Sequence, residues 1–149
     1  MKIEEALKQK KFETPQDKAW VNIIYTYNFL MDHITEVFKR YDITHQQYNV
    51  LRILRGKHPE TACCSSVKEV MMDKNPDLTR LCDRLISKGF IERELNEENR
   101  RQVVLKITGE GLSLLNRVDP ELKSQSEILN NLSNEESEHL SALLDKLRG

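Results

Sequence analysis

A mostly α-helical fold carrying one small β-hairpin is what this chain predicts, and three observations carry that expectation. Apolar residues recur every three or four positions from Trp20 to Tyr41, the signature of one long amphipathic helix. The apolar period changes to two on either side of a polar, turn-rich stretch at 96–101. Ser or Thr followed three positions later by Gln or Glu recurs at Thr44, Ser66 and Ser133, a spacing that satisfies two orphaned backbone donors at a helix start.

Taken in order, residues 1–13 are charged and predict no more than a short helix. The stripe Trp20, Ile23, Ile24, Tyr27, Leu30, Met31, Ile34, Val37, Phe38 and Tyr41 then runs for more than five turns. Such a helix is too long to be covered by a compact core alone and needs another partner. Thr44 and Gln47 open a helix through Tyr48, Leu51 and Leu54 that ends near Gly56, and Ser66 with Glu69 opens a short one bearing Val67, Val70 and Met71. The next helix is expected over 76–88, with Asn75 as N-cap, Pro76 at the first helical position, Asp77 against the positive helix end and Gly89 beyond the C-terminus. Joined through 72–75, the last two form a helix-turn-helix pair. Leu78, Leu81, Cys82, Leu85 and Ile86 make the buried stripe of the second helix, leaving Thr79, Arg80, Asp83, Arg84 and Lys88 on a polar face able to meet phosphates and base edges.

Residues 90–95 and 102–107 read as strands, with apolar positions at Ile91, Leu95, Val103, Leu105 and Ile107. The tip between them carries Arg100 and Arg101 on a slender ribbon, a shape suited to a DNA backbone or a narrow minor groove. Further on, Thr108 caps a helix with Leu112, Leu115, Val118 and Leu122 that Asp119-Pro120 is expected to kink or interrupt. Ser133 and Glu136 start a last helix bearing Leu140, Leu143, Leu144 and Leu147. Terminal helices with apolar stripes flanking a central reading head suit a two-fold dimer; the alternative is a monomer whose terminal helices cover each other.

Several of these segments together resemble the MarR family of bacterial transcription regulators. Residues 43–51 (ITHQQYNVL) are similar to its second helix and 66–70 (SVKEV) to its third. The runs 78–85 (LTRLCDRL) and 88–93 (KGFIER) are similar to its recognition helix and first wing strand, and 105–111 (LKITGEG) to its strand-to-helix junction. The family's wing tip usually reads Asp-Arg-Arg; here it is Asn99-Arg100-Arg101, and Asn99 can accept a hydrogen bond from the tip arginine but lacks the charge to form an ion pair with it. The resemblance implies one winged helix-turn-helix domain over 1–149, with a DNA-reading part at 44–108 and dimerisation helices at 1–43 and 109–149. It implies a homodimeric, ligand-responsive repressor of double-stranded DNA. Thr79 and Arg80 would lie nearest the bases with Asn75 at the helix entry, Arg84 nearer the backbone, Ser65, Ser66 and Lys68 on phosphates, and Arg100 and Arg101 in the adjoining minor groove. Trp20, Tyr27, Met31 and Tyr48 are the candidates for a pocket that takes a small aromatic effector.

Composition bounds the rest. The chain has 149 residues and a net charge of −1, which by itself disfavours a polyanionic partner. The charge is segregated, however: residues 74–106 carry eight bases against six acids, and 107–149 carry four against eight. Affinity for DNA is therefore expected to fall quickly with salt. No apolar run approaches membrane-spanning length and the acidic N-terminus does not resemble a signal peptide, so a cytoplasmic location is expected. No phosphate loop, nucleophile elbow or metal-binding His pair occurs, and His33, His45, His58 and His139 are scattered; no enzyme, cofactor or metal site is expected. Two rival readings stand beside the main one. Cys63 and Cys64, expected in a loop before the helix-turn-helix, could make a thiol-based redox sensor, with Cys82 a small core residue. Alternatively, Glu92, Glu94, Glu97 and Glu98 around the wing suit a module that binds protein instead of DNA.

Overall fold

The computed structural model describes residues 1–96, 99 and 102–149. In chain order they form α1 (Ile3–Ala6), α2 (Pro15–Arg40), α3 (His45–Lys57), β1 (Ala62–Cys63), α4 (Cys64–Glu69), α5 (Leu78–Ser87), β2 (Ile91–Leu95), β3 (Val103–Ile107), α6 (Gly109–Ser126), a 3₁₀ turn (Glu127–Asn131) and α7 (Asn134–Arg148). The mostly helical fold with a small antiparallel sheet is therefore the one the sequence predicts.

The caps explain most of the boundaries. Thr14 accepts from the Asp17 amide with Pro15 at the first helical position, Thr44 caps α3 through Gln47, Thr108 caps α6 through the Gly111 amide, and Ser133 caps α7 through Glu136. Gly89, at φ +75°, takes the left-handed position that ends α5. Two helix starts differ from expectation. Helix α4 begins at Cys64 rather than at Ser66, whose hydroxyl donates instead to the Cys63 carbonyl; Cys63 thus ends a strand and Cys64 starts a helix, and neither lies in a loop. The N-cap of α5 is Asp77, whose carboxylate accepts from the Arg80 amide, because the Asn75 amide is drawn into a turn on the Asp73 side chain and Pro76 is buried ahead of the helix.

The hairpin registers Ile91 opposite Ile107 and Leu95 opposite Val103, and β1 adds a third strand on the other side of β3, pairing Ala62 with Leu105. A two-residue strand is too short to show alternation, so no periodicity marks it in the sequence. With β3 central, both Val104 and Leu105 are buried, whereas Leu95, expected to face the core, is 62 % exposed because it lies out along the ribbon.

Helix α6 runs through Pro120 without interruption. Proline has no N–H, so the Asn116 carbonyl loses its intrahelical donor. The segment is held from outside instead, by Tyr41 donating to the Arg117 carbonyl at 3.1 Å and by Tyr48 and Arg55 on Asp119.

The core lies where α3, α5, β3 and α6 meet, and Leu51, Leu54, Leu85, Leu105, Leu114 and Leu115 are all fully buried there. Each such side chain contributes on the order of 1.5–3 kcal/mol on leaving water. The long α2 contributes only Val37 and Phe38 at its C-terminal end, and α7 has no buried residue at all.

Candidate nucleic-acid interface

Helix α5 owes its position to the stripe Leu78, Leu81, Cys82 and Leu85, which is buried while Thr79, Arg80, Asp83 and Arg84 on the opposite side are exposed. The charged groups on that outer side are not equivalent. Asp83 accepts from Arg93 of β2 at 2.8 Å, tying the root of the ribbon to the helix. Lys88, at the C-cap, donates to the backbone carbonyl of Asp42 and pairs with its carboxylate at 2.7 Å, tying the helix end to the junction of α2 and α3. Arg80 and Arg84 form no ion pair among the described residues and stand free toward solvent. The two partnered bases hold the helix in place, and the two unpartnered ones can reach an anion.

Ser65 and Lys68 are exposed on α4, and Ser66 is half-buried. Asn75 is exposed in the connection before α5, not on the helix itself. Below the hairpin tip the Asn96 amide donates to the Gln102 carbonyl at 2.9 Å and the Gln102 amide to Asn99 at 2.8 Å. Arg100 and Arg101, together with Glu97 and Glu98, lie outside the described residues.

The cysteines separate chemically. The Cys63 sulfur lies 3.1 Å from the Ser65 hydroxyl, and hydrogen bonds from Ser65 and Ser66 stabilise the thiolate and lower its pKa to about 7. Burial pushes the Cys82 thiol up to about 12, as suits a core residue.

The four residues named for an effector pocket are not gathered within one chain. Tyr48 packs its ring 5.0 Å from Phe38 and donates its hydroxyl to Asp119. Trp20 sits eighteen residues before Phe38 on α2, about 27 Å along the axis at 1.5 Å per residue. Trp20 and Tyr27 are 66 % and 60 % exposed, and Met31 is half-buried. An open groove of about 490 Å³ lies elsewhere, between the α2–α3 junction and the end of α5, lined by Lys39, Asp42, Thr44, Gln47, Arg84 and Lys88.

Sequence reasoning missed the side chains that join elements: Arg93 to Asp83, Lys88 to Asp42, and Tyr48 and Arg55 to Asp119. The last two join residues 64 and 71 positions apart, and no local pattern marks such pairs.

Comparison with known proteins agrees with this architecture. The family described as "Transcriptional regulator SarA/Rot" matches residues 33–118, more than half of the chain. The HTH-type transcriptional regulator PecS of Dickeya dadantii is 34 % identical over 116 residues, covering 76 % of this chain and 70 % of that protein. The multiple antibiotic resistance protein MarR of Salmonella typhimurium is 32 % identical over 130 residues, covering 84 % and 88 %. Among solved structures, a mutant MarR from E. coli complexed with operator DNA superposes with a TM-score of 0.74 at 29 % identity, covering 85 % of this chain and 91 % of that one. With sequence, fold and relatives in agreement, the chain belongs to the MarR family of winged helix-turn-helix transcriptional regulators.

Proposed function

We propose that the protein is a sequence-specific binder of double-stranded DNA, acting as a homodimeric, ligand-responsive repressor on an inverted repeat. The observation that carries the DNA reading is the outer side of α5. Thr79, Arg80 and Arg84 are exposed on a helix anchored by a buried stripe, and the two arginines form no ion pair among the described residues, while Lys88 and Arg93 are committed to fixing the helix. A bidentate guanidinium is the commonest reader of guanine in the major groove. Ser65, Ser66 and Lys68 would meet phosphates, with Asn75 at the entry to the helix and Arg100 and Arg101 at the minor groove. The relative in complex with operator DNA supports the same reading.

Two unburied apolar faces support the dimer. Trp20, Ile23, Ile24 and Tyr27 repeat at helical spacing on α2 and are 38 to 66 % exposed; Leu140, Leu143 and Leu147 on α7 are 45 to 64 % exposed. A fifteen-residue helix with no buried residue is marginal in water without a cover, and a second copy supplies one by two-fold symmetry. Two copies would then address half-sites roughly 10 bp apart. An effector acts as a de-repressor here only if it favours a head separation that mismatches the operator, in which case DNA and effector weaken each other equally.

Arg80→Ala tests the reading. It should cost about 1–3 kcal/mol, or roughly 5- to 150-fold, on the operator and relax the preference for one base pair, while binding to unrelated duplex changes little. Fluorescence anisotropy on both duplexes reads this out; operator affinity unchanged by the substitution would remove α5 from the interface.

A further inference from the structure

Helix α3 packs against α5 and β3 of the reading head and also against α6 and α2, so the angle between the head and the long helices depends on how α3 meets α6. That meeting is polar at one point. The two carboxylate oxygens of Asp119 are taken separately: Oδ1 accepts from the Tyr48 hydroxyl at 3.0 Å, and Oδ2 pairs with the Arg55 guanidinium at 2.5 Å. Tyr48 and Arg55 are seven residues apart on α3, two turns along one face, so the carboxylate bridges a length of that helix rather than a single spot. One residue beyond Pro120, Glu121 accepts from the Tyr41 hydroxyl and pairs with Arg40, both at the end of α2. Pro120 removes one backbone hydrogen bond from α6 between these two carboxylates. The helix is thus locally released from its own ladder and held by its neighbours.

We propose that Asp119, through Tyr48 and Arg55, is a positioning residue that sets the angle of the reading head against the long helices and thereby the half-site spacing the dimer accepts. The proposal rests on the DNA-binding dimer described above. Apolar packing between α3 and α6 supplies adhesion but little direction, whereas two hydrogen bonds to one planar carboxylate fix both slide and rotation. Without them the helices remain packed, and the head can rotate by small steps.

The test uses full-length Asp119→Asn and, as a variant that loses a single hydroxyl, Tyr48→Phe. Each is titrated onto duplexes carrying the inverted repeat protected upstream of the protein's own gene, with half-site centres at their natural separation or moved one base pair closer or farther. A one-base-pair change rotates one half-site by about a tenth of a turn, so wild-type protein should bind the shifted duplexes about tenfold more weakly, the strain falling on the DNA or the heads. Both variants should narrow that difference to about threefold or less, with sedimentation and affinity for a single half-site unchanged, a pattern that general destabilisation would not produce. Spacing preference kept at the wild-type value in Tyr48→Phe overturns the proposal, whether or not Asp119→Asn folds. Wild-type protein that ignores the inverted repeat overturns the DNA-binding reading itself, and the proposal falls with it.

Discussion

Replacing Trp20 and Leu143 together with aspartate is expected to leave a folded monomer at micromolar concentration and to lower operator affinity by at least about 100-fold. Trp20 is 66 % exposed and Leu143 51 % exposed in the single chain, so neither substitution removes core packing. The buried core includes neither residue and lies mainly on α3, α5, β3 and α6. In a two-fold dimer each substitution acts twice, and a tryptophan at the centre of such a patch is worth about 2 kcal/mol or more when truncated. Burying a carboxylate without a partner adds a further desolvation cost. The effect on DNA follows from linkage of two heads: once one half-site is occupied, the second event is intramolecular and raises avidity by about 10²–10⁴. Sedimentation velocity should show one species of the chain's own 17.5 kDa. A double variant that still sediments as a dimer would place the interface on other residues.

Gly111→Ala is expected to destabilise the fold by about 2–4 kcal/mol, because overpacking a tight site costs 1–3 kcal/mol or more when backbone must move. A Cβ at Gly111 would lie 2.3 Å from the Phe90 carbonyl oxygen and 2.8 Å from the Ile107 side chain. Three segments converge there. The Thr108 amide donates to the Phe90 carbonyl at 3.1 Å, the Thr108 hydroxyl donates to the Gly89 carbonyl at 2.6 Å, and that same hydroxyl accepts from the Gly111 amide at 3.1 Å. One methyl group therefore pushes apart the end of α5, the root of the ribbon and the start of α6. For a chain of this size Tm should fall by about 5–15 °C, measured at equal protein concentration since dimerisation shifts Tm. Gly56→Ala is the control. It sits in α3 with nothing within 4 Å of the added methyl, and should gain about 0.5–1 kcal/mol from helix propensity alone. Equal Tm values for the two variants would contradict the close approach at Gly111.

Local signals made the elements legible. The caps at Thr44, Thr108 and Ser133 and the stop at Gly89 sit where the sequence places them, since each depends only on residues within one turn. The misplaced starts at Ser66 and Asn75 show the limit: the Ser66 hydroxyl is spent on the Cys63 carbonyl, and the Asn75 amide is drawn to the Asp73 side chain, so a local turn displaces the cap in both cases. Pro120 misled for a different reason. Its local effect was read correctly, but the compensating bonds come from Tyr41, Tyr48 and Arg55 on other helices. The polar side of α5 was visible from spacing; which of its charges are spent on Asp42 and Arg93, leaving Arg80 and Arg84 without an ion pair among the described residues, was not. Similarly, the sequence shows Cys63 beside Cys64, but the lowered pKa of Cys63 arises from serine hydroxyls that only the strand-to-helix turn brings near.

In the proposed complex two copies of α5 read one duplex from the same side. Hydroxyl-radical footprinting of wild-type protein on the DNA upstream of its own gene tests it most directly. Two equivalent protected patches related by two-fold symmetry are expected, with centres about one helical turn, roughly 10 bp, apart, and fading together as salt is raised. A single asymmetric patch, or no protection on any fragment at low salt, would contradict it.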